Sequence, residues 1–133
     1  MYRCRVKAPL IRGVHHLAVL VRDVVRAEAF YVGVLGLTVM KRHDDERGAH
    51  RSTWVALDAE RFLAIERFDG PEGADAGDRL GHHCVALSIA KEDREAWSAH
   101  LAGHGVQIIR ETAFTMYVRD PDGSLVAFSH YPH

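Results

Sequence analysis

The sequence predicts an α+β fold made of two copies of one βαβββ unit, and three observations carry that prediction. Gly13-Val14-His15-His16-Leu17-Ala18-Val19-Leu20-Val21-Arg22 returns in blurred form as Gly81-His82-His83-Cys84-Val85-Ala86-Leu87-Ser88-Ile89-Ala90, close to half a length later in a chain of 133 residues. The correspondence runs on past the strand: Arg26 answers to Arg94 and, after one inserted residue, Gly36-Leu37 answers to Gly105-Val106. Between the copies lies a stretch dense in Gly, Asp and Pro with no apolar period, which reads as a linker.

The first copy opens with residues 14–21, a short apolar run rich in Val and Leu that reads as a strand buried on at least one face. Asp23 follows as a helix N-cap, Ala27, Phe30, Tyr31 and Val34 recur at helical spacing, and Gly36 closes the helix as its C′ residue. A charged stretch from Lys41 to Arg51 precedes two strand-like runs, Ser52–Leu57 and Phe62–Phe68, joined by a hairpin-length loop. In the second copy a strand over 84–89 leads to a helix over about 92–102, ended by Gly103 and Gly105. Strands follow at about 106–110, 114–119 and 124–130. The last two are joined by Asp120-Pro121-Asp122-Gly123, a type I turn signal. The modules run over about 13–68 and 81–131 with the linker at 69–80, within one domain spanning 1–133.

Composition narrows the partner. With 47% hydrophobic and 26% charged residues the chain is globular rather than disordered. Lys plus Arg number 17 against 18 Asp plus Glu, so the basic field of a nucleic-acid or anionic-membrane binder is missing and a small-molecule partner is expected. Cys4 and Cys84 are too few for a disulfide framework, no stretch reads as a signal or a membrane span, and a soluble cytoplasmic protein is expected.

Strand alternation then places candidate chemistry. Leu17, Val19 and Val21 should pack under the helix of their own unit, leaving His16, Ala18 and Leu20 on the uncovered face. The same parity leaves His82, Cys84, Ala86 and Ser88 uncovered in the second copy, while a bulge at 82–84 would present His83 instead. Glu66 lies opposite the Leu63 and Ile65 face. If the uncovered faces line one cleft, His16, His82 or His83, and Glu66 make two imidazoles and a carboxylate, a set that suits non-haem iron or catalytic zinc. Tyr117 and Arg119 are candidates to present a phenol and a guanidinium to an anionic substrate.

The strand HHLAVLV, a helix ending in FYVGVLGL, the Gly-rich linker, the second strand HHCVALSI and the terminal YVRDPDGSLVAFSHYP together resemble the vicinal oxygen chelate superfamily, which includes glyoxalase I, extradiol dioxygenases, and fosfomycin- and bleomycin-resistance proteins. The resemblance covers almost the whole chain. It implies paired βαβββ modules in a U-shaped mixed sheet around a cavity, a homodimer, and a divalent metal ion (Zn, Ni, Mn or Fe) in the metal-dependent members. Carried over by position, His16 matches the first metal histidine and Glu66 the acidic ligand of the first module. The second half departs: Cys84 stands at the usual histidine position, with His82 and His83 just before it, and Ala127 stands where a glutamate is expected.

Two functions from different classes follow. The first is an enzyme in which a divalent ion on His16, Glu66 and His82 or His83 binds a bidentate oxygen substrate and stabilises an oxyanion or enolate, with Glu66 or Tyr117 as the proton-moving group. The second is a metal-free binding or resistance protein of the bleomycin-resistance type, suggested by Ala127. The absent late carboxylate disfavours an extradiol dioxygenase.

Overall fold

The computed structural model describes Pro9 and residues 14–71 and 82–133. Cys4, Gly13, Gly81 and the 72–80 portion of the expected linker lie outside the described residues. The first module comprises β1 (His16–Val21), α1 (Val24–Glu28) running into a π-helical turn (Ala29–Val34), β2 (Val39–Asp44), β3 (His50–Ala56) and β4 (Phe62–Arg67). The second comprises β5 (Val85–Ser88), a 3-10 turn (Lys91–Asp93) leading into α2 (Arg94–Gly103), β6 (Arg110–Glu111), β7 (Thr115–Arg119) and β8 (Leu125–Ser129).

Each module forms a four-stranded mixed sheet, ordered β1-β4-β3-β2 and β5-β8-β7-β6, with β1 parallel to β4 and β5 parallel to β8. The predicted α+β duplication is therefore what the chain adopts. Local chemistry explains the helix boundaries. The Asp23 carboxylate accepts the backbone N–H groups of Val25 and Arg26, satisfying two of the first-turn donors. Gly36 ends the π-helical turn at φ 77°, a conformation that costs a side-chain-bearing residue energy.

Two edge strands differ from expectation. β2 occupies Val39–Asp44, inside what reads as a charged connection, because an edge strand can leave Lys41, Arg42 and Asp44 in water while β3 takes its other side. The strand expected over 106–110 is confined to Arg110–Glu111. Val106 and Ile108 pack against the core without joining the ladder.

One hydrophobic cluster spans both modules, uniting Phe30, Tyr31, Leu63 and Ile65 with Leu101, Met116, Val126 and Phe128. Polar contacts reinforce the junction: the Tyr31 hydroxyl donates to Asp120 Oδ2 at 2.8 Å, Arg26 donates to Asp122 Oδ1 at 2.7 Å, and His100 Nε2 lies 2.8 Å from the Val34 carbonyl. The duplicated strands themselves are the least covered. In β1 only Val21 is fully buried, while Leu17 and Leu20 are 37% and 59% exposed. β5 likewise has no fully buried residue. Both are edge strands, and a cavity runs along them.

Candidate functional site

The cavity has a volume of about 750 Å³, within the range of small-molecule sites. β1 lines it from His16 to Arg22, and the segment His82–Val85 faces it from the second module. Tyr31, Asp122 and Ser124 are further polar residues of the lining, against a largely aliphatic remainder. The duplication thus brings histidines of both copies to one space, but strand parity does not sort the lining: Leu17, Val19, Val21 and Val85, expected under the helices, line the cavity as well, because it runs along the edges of β1 and β5.

The predicted residues reach this space unequally. His16, His82 and His83 all line it and are exposed, and the half-buried Cys84 lines it beside them. The His16 ring stacks on Phe62, with centroids 4.7 Å apart and planes 2° from parallel, and its Nδ1 lies 2.9 Å from His15 Nδ1. His83 sits 6.2 Å, centroid to centroid, from the Tyr117 ring. Glu66 and Tyr117 are outside the lining. Tyr117 is half-buried on β7, with the Arg110 guanidinium 5.1 Å above its ring, and Arg119 donates to the Gly123 carbonyl.

Register explains Glu66. In the parallel β1–β4 pair His16 stands beside Phe62, whereas Glu66 stands beside Leu20, four residues farther along. Four residues of strand rise about 13 Å. Side chains standing off a sheet at that spacing do not converge on one ion at ligand distances of about 2 Å.

The same registers expose a symmetry between the modules. Across the first sheet Trp54, Ala64 and Ala18 lie in one row; across the second, Tyr117, Ala127 and Ala86 do. Ala64 and Ala127 are therefore equivalent, and Glu66 is equivalent to Ser129. The positions diagonal to His16 and to its counterpart Cys84 both carry a methyl group. Among the described residues no group of three or more His, Cys, Asp and Glu is arranged to hold a metal ion. The donor set does not fit a glyoxalase-type divalent site.

Three polar features were not legible as site elements. Tyr31 and Asp120 are buried, at 1% and 4% exposure, and their bond ties α1 to the β7–β8 turn. Burial pushes the Asp120 carboxyl above the usual carboxylate range, against the opposing pull of the Tyr31 hydroxyl and of the Ser124 and Asp122 backbone N–H groups. Burial and then the Asp120 charge push the Tyr31 phenol well up. Asp122, two residues on, lines the cavity. Read as sequence, Asp120-Pro121-Asp122-Gly123 is fully explained by its turn, which does form, with Gly123 N–H bonded to the Asp120 carbonyl at 3.0 Å. The Cys84 thiol, by contrast, was considered from the sequence, and burial raises its pKa.

The other singled-out residues are structural. Trp97 stacks on Phe128 at 5.3 Å, and buried His130 accepts or shares a contact with Arg94 at 3.0 Å and lies 2.6 Å from the His133 carbonyl. Trp54 stacks on Phe62 at 4.4 Å on the face that carries His16.

Comparison with known proteins matches residues 13–128 to the Glyoxalase/Bleomycin resistance protein/Dioxygenase superfamily. The chain is 29% identical over 123 residues to the uncharacterized protein YaeR of Escherichia coli (strain K12), covering 85% of this chain and 92% of that protein. A glyoxalase/dioxygenase from Nostoc punctiforme superposes with a TM-score of 0.79 at 19% identity, covering 96% of this chain and 99% of that one. The fosfomycin resistance protein FosX from Listeria monocytogenes, complexed with Mn(II) and sulfate, gives 0.72 at 19% identity over 91% and 93% of the two chains. No described helix is long and apolar enough to cross a membrane.

Proposed function

Because the chain belongs to the Glyoxalase/Bleomycin resistance protein/Dioxygenase superfamily, we propose that it binds a small, largely apolar molecule in the cavity between β1 and β5, with His16, His82 and His83 contacting the ligand directly. The observation that carries this reading is a contrast between the cavity and the strands beside it. Histidines of both modules line the cavity, while the paired positions that would complete a metal set with carboxylates are Ala64 and Ala127. The largely aliphatic lining accommodates an apolar body, and the exposed imidazoles supply hydrogen bonds whose direction follows the tautomer.

Calorimetric titration of the untagged protein with Zn(II), Ni(II), Mn(II) and Fe(II) tests the reading. Stoichiometric uptake of none of them is expected. One ion per chain, lost in His16→Ala, overturns it in favour of the metal-dependent reading. That reading keeps one supporting observation: His16 and the His82-His83 pair share a cavity, as an ion between the modules would require. It also needs Glu66 to be brought four residues along the sheet. A homodimer is the accompanying expectation, since Leu17 and Leu20 leave apolar surface on β1, and sedimentation equilibrium measures it.

A further inference from the structure

Asp122 carries an unsatisfied half. Its side chain is only 8% exposed, and Arg26, which is 50% exposed, reaches it from the surface to bond Oδ1 at 2.7 Å. Oδ2 is buried with no hydrogen-bond partner among the described residues, and the residue lines the β1–β5 cavity. A buried carboxylate oxygen without a donor is costly, and native structures leave few of them. The surrounding cationic groups are committed elsewhere. Arg22, also on the cavity wall, donates to the carbonyls of Gly70, at 2.6 Å, and Pro71, with its guanidinium 4.9 Å from the Phe68 ring centre. The Tyr31 hydroxyl is spent on Asp120.

We propose that Asp122 is the polar anchor of the cavity: its free Oδ2 accepts a hydrogen bond from a cationic N–H group, an alkylammonium or protonated ring nitrogen, on a ligand whose remaining surface is apolar. This rests on the cavity being the ligand site. A cationic donor suits the place better than a neutral hydroxyl, because a carboxylate makes its stronger hydrogen bonds to charged donors and Arg26 satisfies only Oδ1. Asp120, the neighbouring carboxyl, is engaged by Tyr31 and by the backbone N–H groups of Asp122 and Ser124, so the free acceptor at this end of the cavity belongs to Asp122. The aliphatic walls, among them Leu17, Leu63 and Leu125, bind the rest of the molecule and offer it no charge.

Three probes of one shape decide the matter: 4-phenylbutylamine, 4-phenylbutanol and 4-phenylbutyrate, titrated while the backbone amide NMR signals of Ala18, Leu20 and Ala86 are followed. The amine is expected to bind at least about tenfold more tightly than the butyrate, as a charge-assisted hydrogen bond implies. Asp122→Asn should abolish that preference. Arg26→Gln, which leaves Asp122 in place and frees its second oxygen, should strengthen it, so the inference survives any folding defect of the first variant. Equal binding of all three probes at these amides keeps the cavity as the ligand site and overturns the role of Asp122. No perturbation of these amides by any probe removes the cavity reading, and the anchor with it.

Discussion

Replacing Tyr31 by Phe deletes one oxygen from the junction between the modules, and its consequence can be worked out from the structure. The Tyr31 hydroxyl, 2.8 Å from Asp120 Oδ2, is buried at both ends, so water does not take its place in the variant. The ring is retained and the core keeps its volume, leaving the hydrogen bond as the difference. A bond to a charged acceptor contributes about 1.5–3 kcal/mol, and one to a neutral carboxyl about 0.5–1.5 kcal/mol. Burial already raises the Asp120 pKa above its unfolded value, and its stabilising contribution is therefore complete below the ordinary carboxyl pKa and lost as pH rises through the raised one. Removing the hydroxyl, which opposes that rise, lifts the folded-state pKa further. The variant should then lose stability more steeply than wild type on going from acid to neutral pH. Urea denaturation should show a deficit of about 2–3 kcal/mol at pH 7.5 that shrinks to about 1 kcal/mol near pH 4, with the melting temperature at pH 7.5 lower by roughly 5–10 °C. A deficit equal at both pH values refutes the linkage argument, and no deficit at either removes the bond from the list of interactions joining the modules.

Other outcomes follow from the same geometry. Asp23→Ala removes the cap that holds the N–H groups of Val25 and Arg26, and chemical denaturation should register a loss of about 1 kcal/mol. Leu101→Ala, at a fully buried site in the shared cluster, should cost about 2–5 kcal/mol, and a cost below 1 kcal/mol contradicts its place in the core. With its thiol pKa raised by burial, Cys84 in a Cys4→Ser background should react with iodoacetamide at pH 7 more slowly than free cysteine, and a cavity probe should slow it further. Cys84→His combined with Ala127→Glu supplies the two second-module donors that the sequence resemblance implies. That variant should take up Mn(II) or Zn(II) at least about tenfold more tightly than wild type, measured by calorimetry; an unchanged affinity means that the β5–β8 register does not set the metal set.

The backbone was legible because its signals are local or periodic. Repeat spacing, strand alternation and the Asp23 and Gly36 caps all act within a few residues, and each element they mark is present. His16, His82 and His83 were legible as cavity residues for the same reason, since they stand at or just before the strands that become the cavity edges. Glu66 was not, because its distance from His16 depends on the register of two parallel strands joined by a long connection, and nothing local reports that register. A shift of two residues would preserve every face and every burial pattern, yet move the carboxylate by about 7 Å. Asp122 was hidden for the opposite reason. Its turn chemistry accounts for it so completely that its second oxygen shows only once α1 has docked and Arg26 has taken the first.

The duplication preserved a row of each sheet and divided the polar groups. Trp54 with Ala64 and Ala18, and Tyr117 with Ala127 and Ala86, give both sheets the same aromatic-to-methyl row, of which Ala18 alone reaches the cavity. The loops that follow are equal in length but capped differently: Asp58, one position later than the counterpart of Asp120, accepts the N–H groups of Glu60 and Arg61, whereas Asp120 accepts those of Asp122 and Ser124. Counted along loops of equal length, Asp122 corresponds to Ala59, which has no carboxylate to offer. Histidines therefore meet the cavity from both modules, whereas the free acid enters from one end. A largely apolar cavity with its free carboxylate oxygen on one residue would admit an elongated cation in one orientation, and that polarity would arise from a difference between the copies that the shared fold leaves open.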